Sequence, residues 1–203
     1  MKDNNTVEGQ VLFDFFSLVI PLDDEIYDLL GPYIKKKSYK KGDSILKEGE
    51  IETKANVVVE GVVHQYIYED DQPKTVNITP KGLSFNSLKS YLSKEPSLEI
   101  QEAITDVEVV YMMKEDIDWL AKTNSKFAYL MFKVYENILL DRENRMFLLQ
   151  YKNPTKRLRL FHETVSRAHM MIKDTPDKYI ASYLNMTPQQ YSNEKRKLMK
   201  EGL

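Results

Sequence analysis

The hydrophobic pattern of this chain changes period once, near residue 114, and that change limits what it can fold into. Through residues 40–113, short runs of Val, Ile and Tyr alternate with turn residues. Ser44-Ile45-Leu46 lies between Gly42-Asp43 and Glu48-Gly49-Glu50, and Asn56-Val57-Val58-Val59 is followed by Glu60-Gly61 and Val62-Val63-His64-Gln65-Tyr66-Ile67-Tyr68. A turn over residues 70–73, then Val76-Asn77-Ile78, Pro80-Lys81-Gly82, and runs over residues 99–104 and 107–113 complete the series. Strands of this kind at intervals of about ten residues predict an antiparallel barrel or sandwich.

After Lys114 the pattern becomes helical. Phe127, Met131, Val134 and Ile138 form one stripe, and Phe132, Tyr135, Leu139, Met146 and Leu149 form a second, interrupted by Arg142. Two apolar stripes on one long helix require two surfaces to cover them. One is expected to pack on the β body and the other to form a dimer seam, with burial on both sides inside a monomer as the alternative. Asn153-Pro154 is the expected hinge, because proline disfavours helix at the residue before it. Upstream, Phe16, Ile20, Ile26, Leu29 and Leu30 surround Asp23-Asp24-Glu25, which predicts a short helix stopped by Gly31-Pro32.

Composition removes several function classes. With no Cys among 203 residues there are no disulfides, thiolate zinc sites, cysteine nucleophiles or cysteine-ligated iron–sulfur clusters. Residues 11–20 are apolar but broken by Asp14, too short for the ~20 apolar residues that span a bilayer, and they lack a basic flank and cleavage site. The expectation is a cytoplasmic protein without a membrane partner. His64, His162 and His169 are the only histidines; the last two are seven apart, a spacing open to one shared helix face, and two ligands alone make a weak metal signal. No metal or cofactor is expected. Nor does any nucleophile–base signature or glycine-rich phosphate loop suggest an enzyme.

Charge is uneven. Residues 1–149 hold 18 Lys+Arg and 26 Asp+Glu, whereas residues 150–203 hold 11 and 5. An acidic body with a basic tail points to a polyanion met by the tail alone. Inside that tail, Tyr179-Ile180-Ala181-Ser182-Tyr183-Leu184-Asn185-Met186 leads into Thr187-Pro188-Gln189-Gln190-Tyr191-Ser192-Asn193-Glu194-Lys195-Arg196-Lys197-Leu198. Thr187 is a helix N-cap, Pro188 suits the first helical position, and Gln190 completes a capping box. Ala181 allows two helices to cross closely, Asn185 tolerates the left-handed backbone of a turn, and Tyr191 and Leu198 pack inward. These are helix-turn-helix spacings, whose second helix enters the major groove.

Gln189, Asn193, Arg196 and Lys200 share the face opposite Tyr191 and Leu198. Gln and Asn offer adenine a donor and an acceptor, and Arg forks onto guanine or phosphate. Lys195 and Lys197 flank that face as phosphate contacts, and Thr187, Gln190 and Ser192 complete the candidate DNA-binding set. Glu194 occupies an inner-edge position where an apolar residue is usual. It is expected to cost packing and to bring a carboxylate near the DNA.

With both halves read, the chain resembles the Crp/Fnr family of bacterial transcription regulators. The resemblance rests on Lys41-Gly42-Asp43-Ser44-Ile45-Leu46-Lys47-Glu48-Gly49-Glu50, Val57-Val58-Val59-Glu60-Gly61, Ala103-Ile104-Thr105-Asp106-Val107-Glu108-Val109 and the tail motif. It implies an α+β chain: an N-terminal antiparallel β-roll (jelly-roll or cupin-like) sensor over residues 1–113, a long dimerisation helix region over 114–152, and an all-α helix-turn-helix domain over 153–203. It implies a homodimer on double-stranded DNA, RNA polymerase as partner, and a small-molecule effector of unknown identity.

The pocket departs from the family. Asn86-Ser87 replaces the Gly-Glu pair that holds the ribose, and Ser97-Leu98 replaces the Arg and small hydroxyl residue that hold the cyclic phosphate. Ser84, Asn86, Ser87 and Ser97 remain as a possible pocket for a small polar effector, and cAMP is not expected. Asn193 stands where relatives commonly carry a groove-reading Arg, and few residues follow the motif to build a β-wing. The competing expectation is a ligand-binding or protein-interaction module whose helix-turn-helix has decayed.

Overall fold

A computed structural model of the chain describes residues 7–21, 24–165 and 167–201; Asp23, in the acidic cluster noted above, lies outside them. Two helices, α1 (Val7–Ser17) and α2 (Asp24–Leu30), and a single 3-10 turn (Gly31–Tyr33) precede eight strands. These are β1 (Lys35–Tyr39), β2 (Ser44–Leu46), β3 (Lys54–Glu60), β4 (Val62–Glu69), β5 (Gln72–Pro80), β6 (Ser84–Phe85), β7 (Ile100–Ala103) and β8 (Val107–Met113), with helix α3 (Leu88–Ser93) between β6 and β7. They form two four-stranded sheets, in the orders β1-β8-β3-β6 and β2-β7-β4-β5, and every pairing is antiparallel. Val58, Val63, Phe85, Val107 and Val109 fill the space where the sheets meet.

Two turns show how sequence sets this roll. Asp70 and Asp71 both take left-handed backbone (φ 48° and 59°) between β4 and β5, the twist a two-residue hairpin needs. At Gly61, φ is +88° and an added Cβ would lie 2.1 Å from the Asp106 carbonyl, so no other residue fits between β3 and β4. Strand β1 was not expected. Its Lys35-Lys36-Lys37-Ser38 run is exposed and carries no apolar alternation, yet it pairs with β8 from Lys35↔Tyr111 to Tyr39↔Val107. Lysines on an outer strand are a usual guard against further pairing.

The helical segment is not continuous. Asn124 is extended (φ −134°, ψ 112°), ends α4 (Lys114–Thr123), and its side chain caps α5 (Ser125–Gln150) by accepting from Phe127 N at 2.9 Å. Phe127 and Val134 of the first stripe are buried against β3 and β8 and against Leu12 and Phe16 of α1, with Met131 and Ile138 partly buried beside them. In the second stripe Phe132, Leu139 and Met146 are exposed, joined by Leu140 and Phe147, while Tyr135 and Leu149 are partly covered.

Four helices follow: α6 (Pro154–Thr164), α7 (Ala168–Asp174), α8 (Asp177–Tyr183) and α9 (Pro188–Glu201). Leu158, Phe161, Met171, Ile180, Tyr183, Tyr191 and Leu198 make their core, which continues into Leu148 of α5 and Val62, Ile78 and Ile104 of the roll. His162 and His169 fall on separate helices, α6 and α7, which corrects the shared face inferred from their spacing. No group of three or more metal-ligating side chains occurs among the described residues.

Candidate functional site

Helices α8 and α9 are joined by a tight turn. Asn185 takes φ 52° there, and Met186 N donates to the Ala181 carbonyl at 2.8 Å. Asparagine accepts this conformation more readily than a residue with a larger or branched side chain. The start of α9 is closed by reciprocal bonds: Gln190 N donates to Thr187 Oγ1 at 3.1 Å, and Thr187 N donates to Gln190 Oε1 at 3.0 Å.

Ala181, Tyr191 and Leu198 are buried at the crossing. Thr187, Gln189, Gln190, Ser192, Asn193, Arg196, Lys197 and Lys200 are exposed, and Lys195 is half-buried. Gln189 Nε2 donates to Asn193 Oδ1 at 3.1 Å, which aligns the two amides on one face. Two of the four cations are already engaged within the chain: Lys195 Nζ with Asp177 at 2.8 Å, and Lys197 Nζ with Glu194 at 2.7 Å. Arg196 and Lys200 make no ion pair among the described residues, so the face opposite Tyr191 carries two amides and two uncommitted cations.

Glu194 is the first correction at this end. Its side chain is only 8% exposed and does not face outward with the amides. Thr155 Oγ1 donates to it at 2.5 Å, in the first turn of α6, where the unsatisfied N–H groups favour a negative charge. The bonds from Lys197 and Thr155 hold its carboxyl below the usual glutamate range. The polar side chain sits at an inner position because a partner stands opposite it.

Arg157 was not singled out in the sequence, and it organises the whole turn. Buried in α6, it donates through Nε and NH2 to the Tyr151 carbonyl (3.0 and 2.7 Å) and through NH1 to the carbonyls of Leu184 (2.6 Å) and Asn185 (2.7 Å). One guanidinium thereby joins the α5–α6 connection to the end of α8, and burial pushes its pKa down. Its partners are backbone carbonyls, which leave no residue-type signal. Asn153 caps α6 by accepting from Lys156 N at 3.1 Å and is extended before Pro154.

At the other end of the chain, the four candidate effector-pocket residues separate. Ser87 and Ser97 are buried and bonded to each other at 2.9 Å, and Ser97 Oγ also donates to the Glu99 carbonyl and accepts from Glu99 N. Glu52, buried beside them, accepts from Gln101 Nε2 at 2.8 Å and from Lys54 N at 3.0 Å, and burial raises its pKa. Ser84 and Asn86 line a different space, a cavity of about 900 Å³ between the roll, α1 and α5. His64 is structural: buried in β4, bonded to Thr75 Oγ1 at 2.8 Å and stacked on Tyr66, it has its pKa lowered to about 4 by desolvation and by Lys178.

The tail is docked on the roll through polar contacts. Arg145 of α5 donates to the carbonyls of Thr75 (2.8 Å) and Tyr183 (3.2 Å), and Thr75 N donates to Ser182 Oγ at 3.2 Å. Arg167, at the start of α7, pairs with Asp141 at 2.6 Å and donates to Asn77 Oδ1 at 2.9 Å.

A two-sheet roll, a long helix and a helical tail closed by a short-turn helix pair define the architecture, and known proteins share it. Residues 36–124 match the family model of the cyclic nucleotide-binding domain. The structure is similar to FixK2 from Bradyrhizobium japonicum, at 22% identity over 83% of this chain and 86% of that one, with a TM-score of 0.68. It is similar to the c-di-GMP-responsive global regulator CLP of Xanthomonas campestris (15% identity, 89% and 94% covered, TM-score 0.62). It is also similar to the catabolite activator protein of Thermus thermophilus (18% identity, 93% and 88% covered, TM-score 0.56). No curated protein sequence matches it significantly. The chain has the fold of the Crp/Fnr-type regulators, with a cyclic nucleotide-binding domain as its roll.

Proposed function

We propose that this chain is a dimeric, DNA-binding transcription regulator of the Crp/Fnr type, not an enzyme, and that α8 and α9 are its helix-turn-helix. The observation that carries this reading is the outward face of α9. Gln189, Asn193, Arg196 and Lys200 stand in solvent on a helix whose start is doubly capped and whose supporting turn is held by Arg157. Such a face offers amide and guanidinium groups to base edges, while Lys195 and Lys197 can exchange their carboxylate partners for phosphates. Residues 1–113 then act as sensor, 114–152 as the dimerisation region and 153–203 as the DNA-binding domain, with RNA polymerase as the downstream partner in the cytoplasm.

The exposed apolar residues of α5 are the dimer seam. Phe132, Leu139 and Met146 recur at seven-residue intervals, as do Leu140 and Phe147, the repeat that a paired helix requires. A two-fold dimer sets its recognition helices one DNA turn apart, about 34 Å, and reads a pseudo-palindrome. Selection from random duplex DNA should recover two inverted half-sites at that spacing. A folded dimer that enriches no sequence at low salt overturns the reading.

The roll is proposed not to bind cAMP. Ser87 and Ser97 satisfy each other where a nucleotide binder places its ribose and phosphate anchors, and calorimetric titration with cAMP should give no heat at micromolar levels. The decayed-module alternative draws on the internal pairing of Lys195 and Lys197. A specific small-molecule thermal shift together with no DNA enrichment would favour it.

A further inference from the structure

The inward stripe of α5 does not stay apolar. Phe127, Met131, Val134 and Ile138 continue at the same three- and four-residue spacing into Arg142, Arg145 and Leu149, so two guanidinium groups stand on the helix face that packs toward the roll. The cavity of about 900 Å³ follows this face. At one end it is lined by Phe16 and Val19 near α1, by Val57 and Met112 on the helix-facing side of β3 and β8, and by Met131 and Val134. At the other end its wall is polar, with Gln65, Asn77, Glu99, Asp141, Arg142 and Arg145. Met131 and Arg142 are separated by ~16 Å along the helix axis.

The polar end has an unmatched positive charge. Asp141 is paired with Arg167, and Glu99 accepts from Gln65 Nε2 at 3.0 Å. Arg145 uses NH2 on the carbonyls of Thr75 and Tyr183, but its buried Nε has no partner. Arg142 makes no hydrogen bond or ion pair among the described residues; Glu99 is close enough for its carboxyl to be affected by that charge. A wholly apolar occupant would leave this guanidinium without a partner at the mouth of a low-dielectric space, and a cation would be repelled. A nucleotide would set a polar sugar and base against Phe16, Val57 and Met131.

We propose that the cavity binds an amphipathic anion, an acyl-chain carboxylate whose chain lies between α1, β3, β8 and α5 and whose head group meets Arg142 and the free Nε of Arg145. This rests on the reading of the roll as the sensor half and names the chemistry of its effector. The head group would adjoin a hydrogen-bonded series running from Glu99 through Gln65 and Asn77 to Arg167, so occupancy is felt at the start of α7. Of the seam residues Phe132, Leu139, Leu140, Met146 and Phe147, only Met146 also lines the cavity, so ligand and partner helix meet largely different side chains.

Titration of the full chain with decanoate, decanol and decyltrimethylammonium tests this by calorimetry. Saturable binding of one decanoate per chain is expected, with decanol at least tenfold weaker and the cation not bound. Arg142→Gln, an exposed position that should not disturb folding, brings decanoate to the level of decanol. Ile138→Trp, checked for an unchanged thermal transition, blocks both by filling the space. No saturable decanoate binding, equal affinity for decanol, or an unaffected Arg142→Gln overturns the proposal, as does heat from cAMP with none from decanoate. The random-DNA selection is independent: its failure removes the regulator reading and leaves the decanoate result standing.

Discussion

The outward face of α9 and the floor of the roll are built from similar polar residues arranged in opposite ways. On α9 the amides of Gln189 and Asn193 and the charges of Arg196 and Lys200 stand in solvent, and a partner can meet them at the cost of no more than the one exposed bond between the two amides. In the roll, Ser87, Ser97, Glu52 and Gln101 are buried and bonded to one another. A ligand there would first have to replace bonds already made, each a net contribution of about 1 kcal/mol. The difference separates polar groups that present from polar groups that hold, and residue type alone does not tell them apart.

Substitutions can break or sharpen that contrast. The largest effect is expected at Arg157, which holds and does not present. Arg157→Met leaves the carbonyls of Tyr151, Leu184 and Asn185 without their shared donor and should cost about 3 kcal/mol in urea unfolding. An unchanged midpoint would show that the turn supports itself. Next is Arg196→Ala, which should weaken DNA binding by about 2 kcal/mol with stability unaltered, or lower the salt slope by about one if the contact is to phosphate alone. Ser97→Ala should do the reverse. It removes a buried partner of Ser87 and Glu99, lowers stability by about 1 kcal/mol, and leaves DNA affinity intact.

The smallest effect is at Glu194. Its folded carboxyl lies below the ordinary value of 4.5, so its contribution is complete above that value and fades as pH falls through the folded one. Wild type should exceed Glu194→Gln by roughly 1 kcal/mol at neutral pH, and the gap should close in acid. A gap that persists below the carboxylate range would assign the effect to packing instead.

Local chemistry was legible in the sequence, and distant partners were not. The Thr187–Gln190 cap and the left-handed Asn185 involve neighbours in the chain, and the structure forms both. The two stripes of α5 were visible for the same reason. Strand β1 was missed because three lysines on an outer strand carry no alternation, and the break at Asn124 because both sides of it are helical. Arg157 and the Thr155 partner of Glu194 depend on contacts between segments 27 and 39 residues apart, which no spacing rule reaches. Arg142 lay in plain sight as an interruption of the second stripe, Arg145 gave no such signal, and the meaning of both needed the cavity beside them.

The most direct measurement repeats the random-DNA selection with the double variant Gln189→Ala, Asn193→Ala. If this face of α9 reads base edges, the recovered motif keeps its half-site spacing and loses preference at one or two positions in each half. Recovery of the same motif, letter for letter, would contradict that assignment of α9.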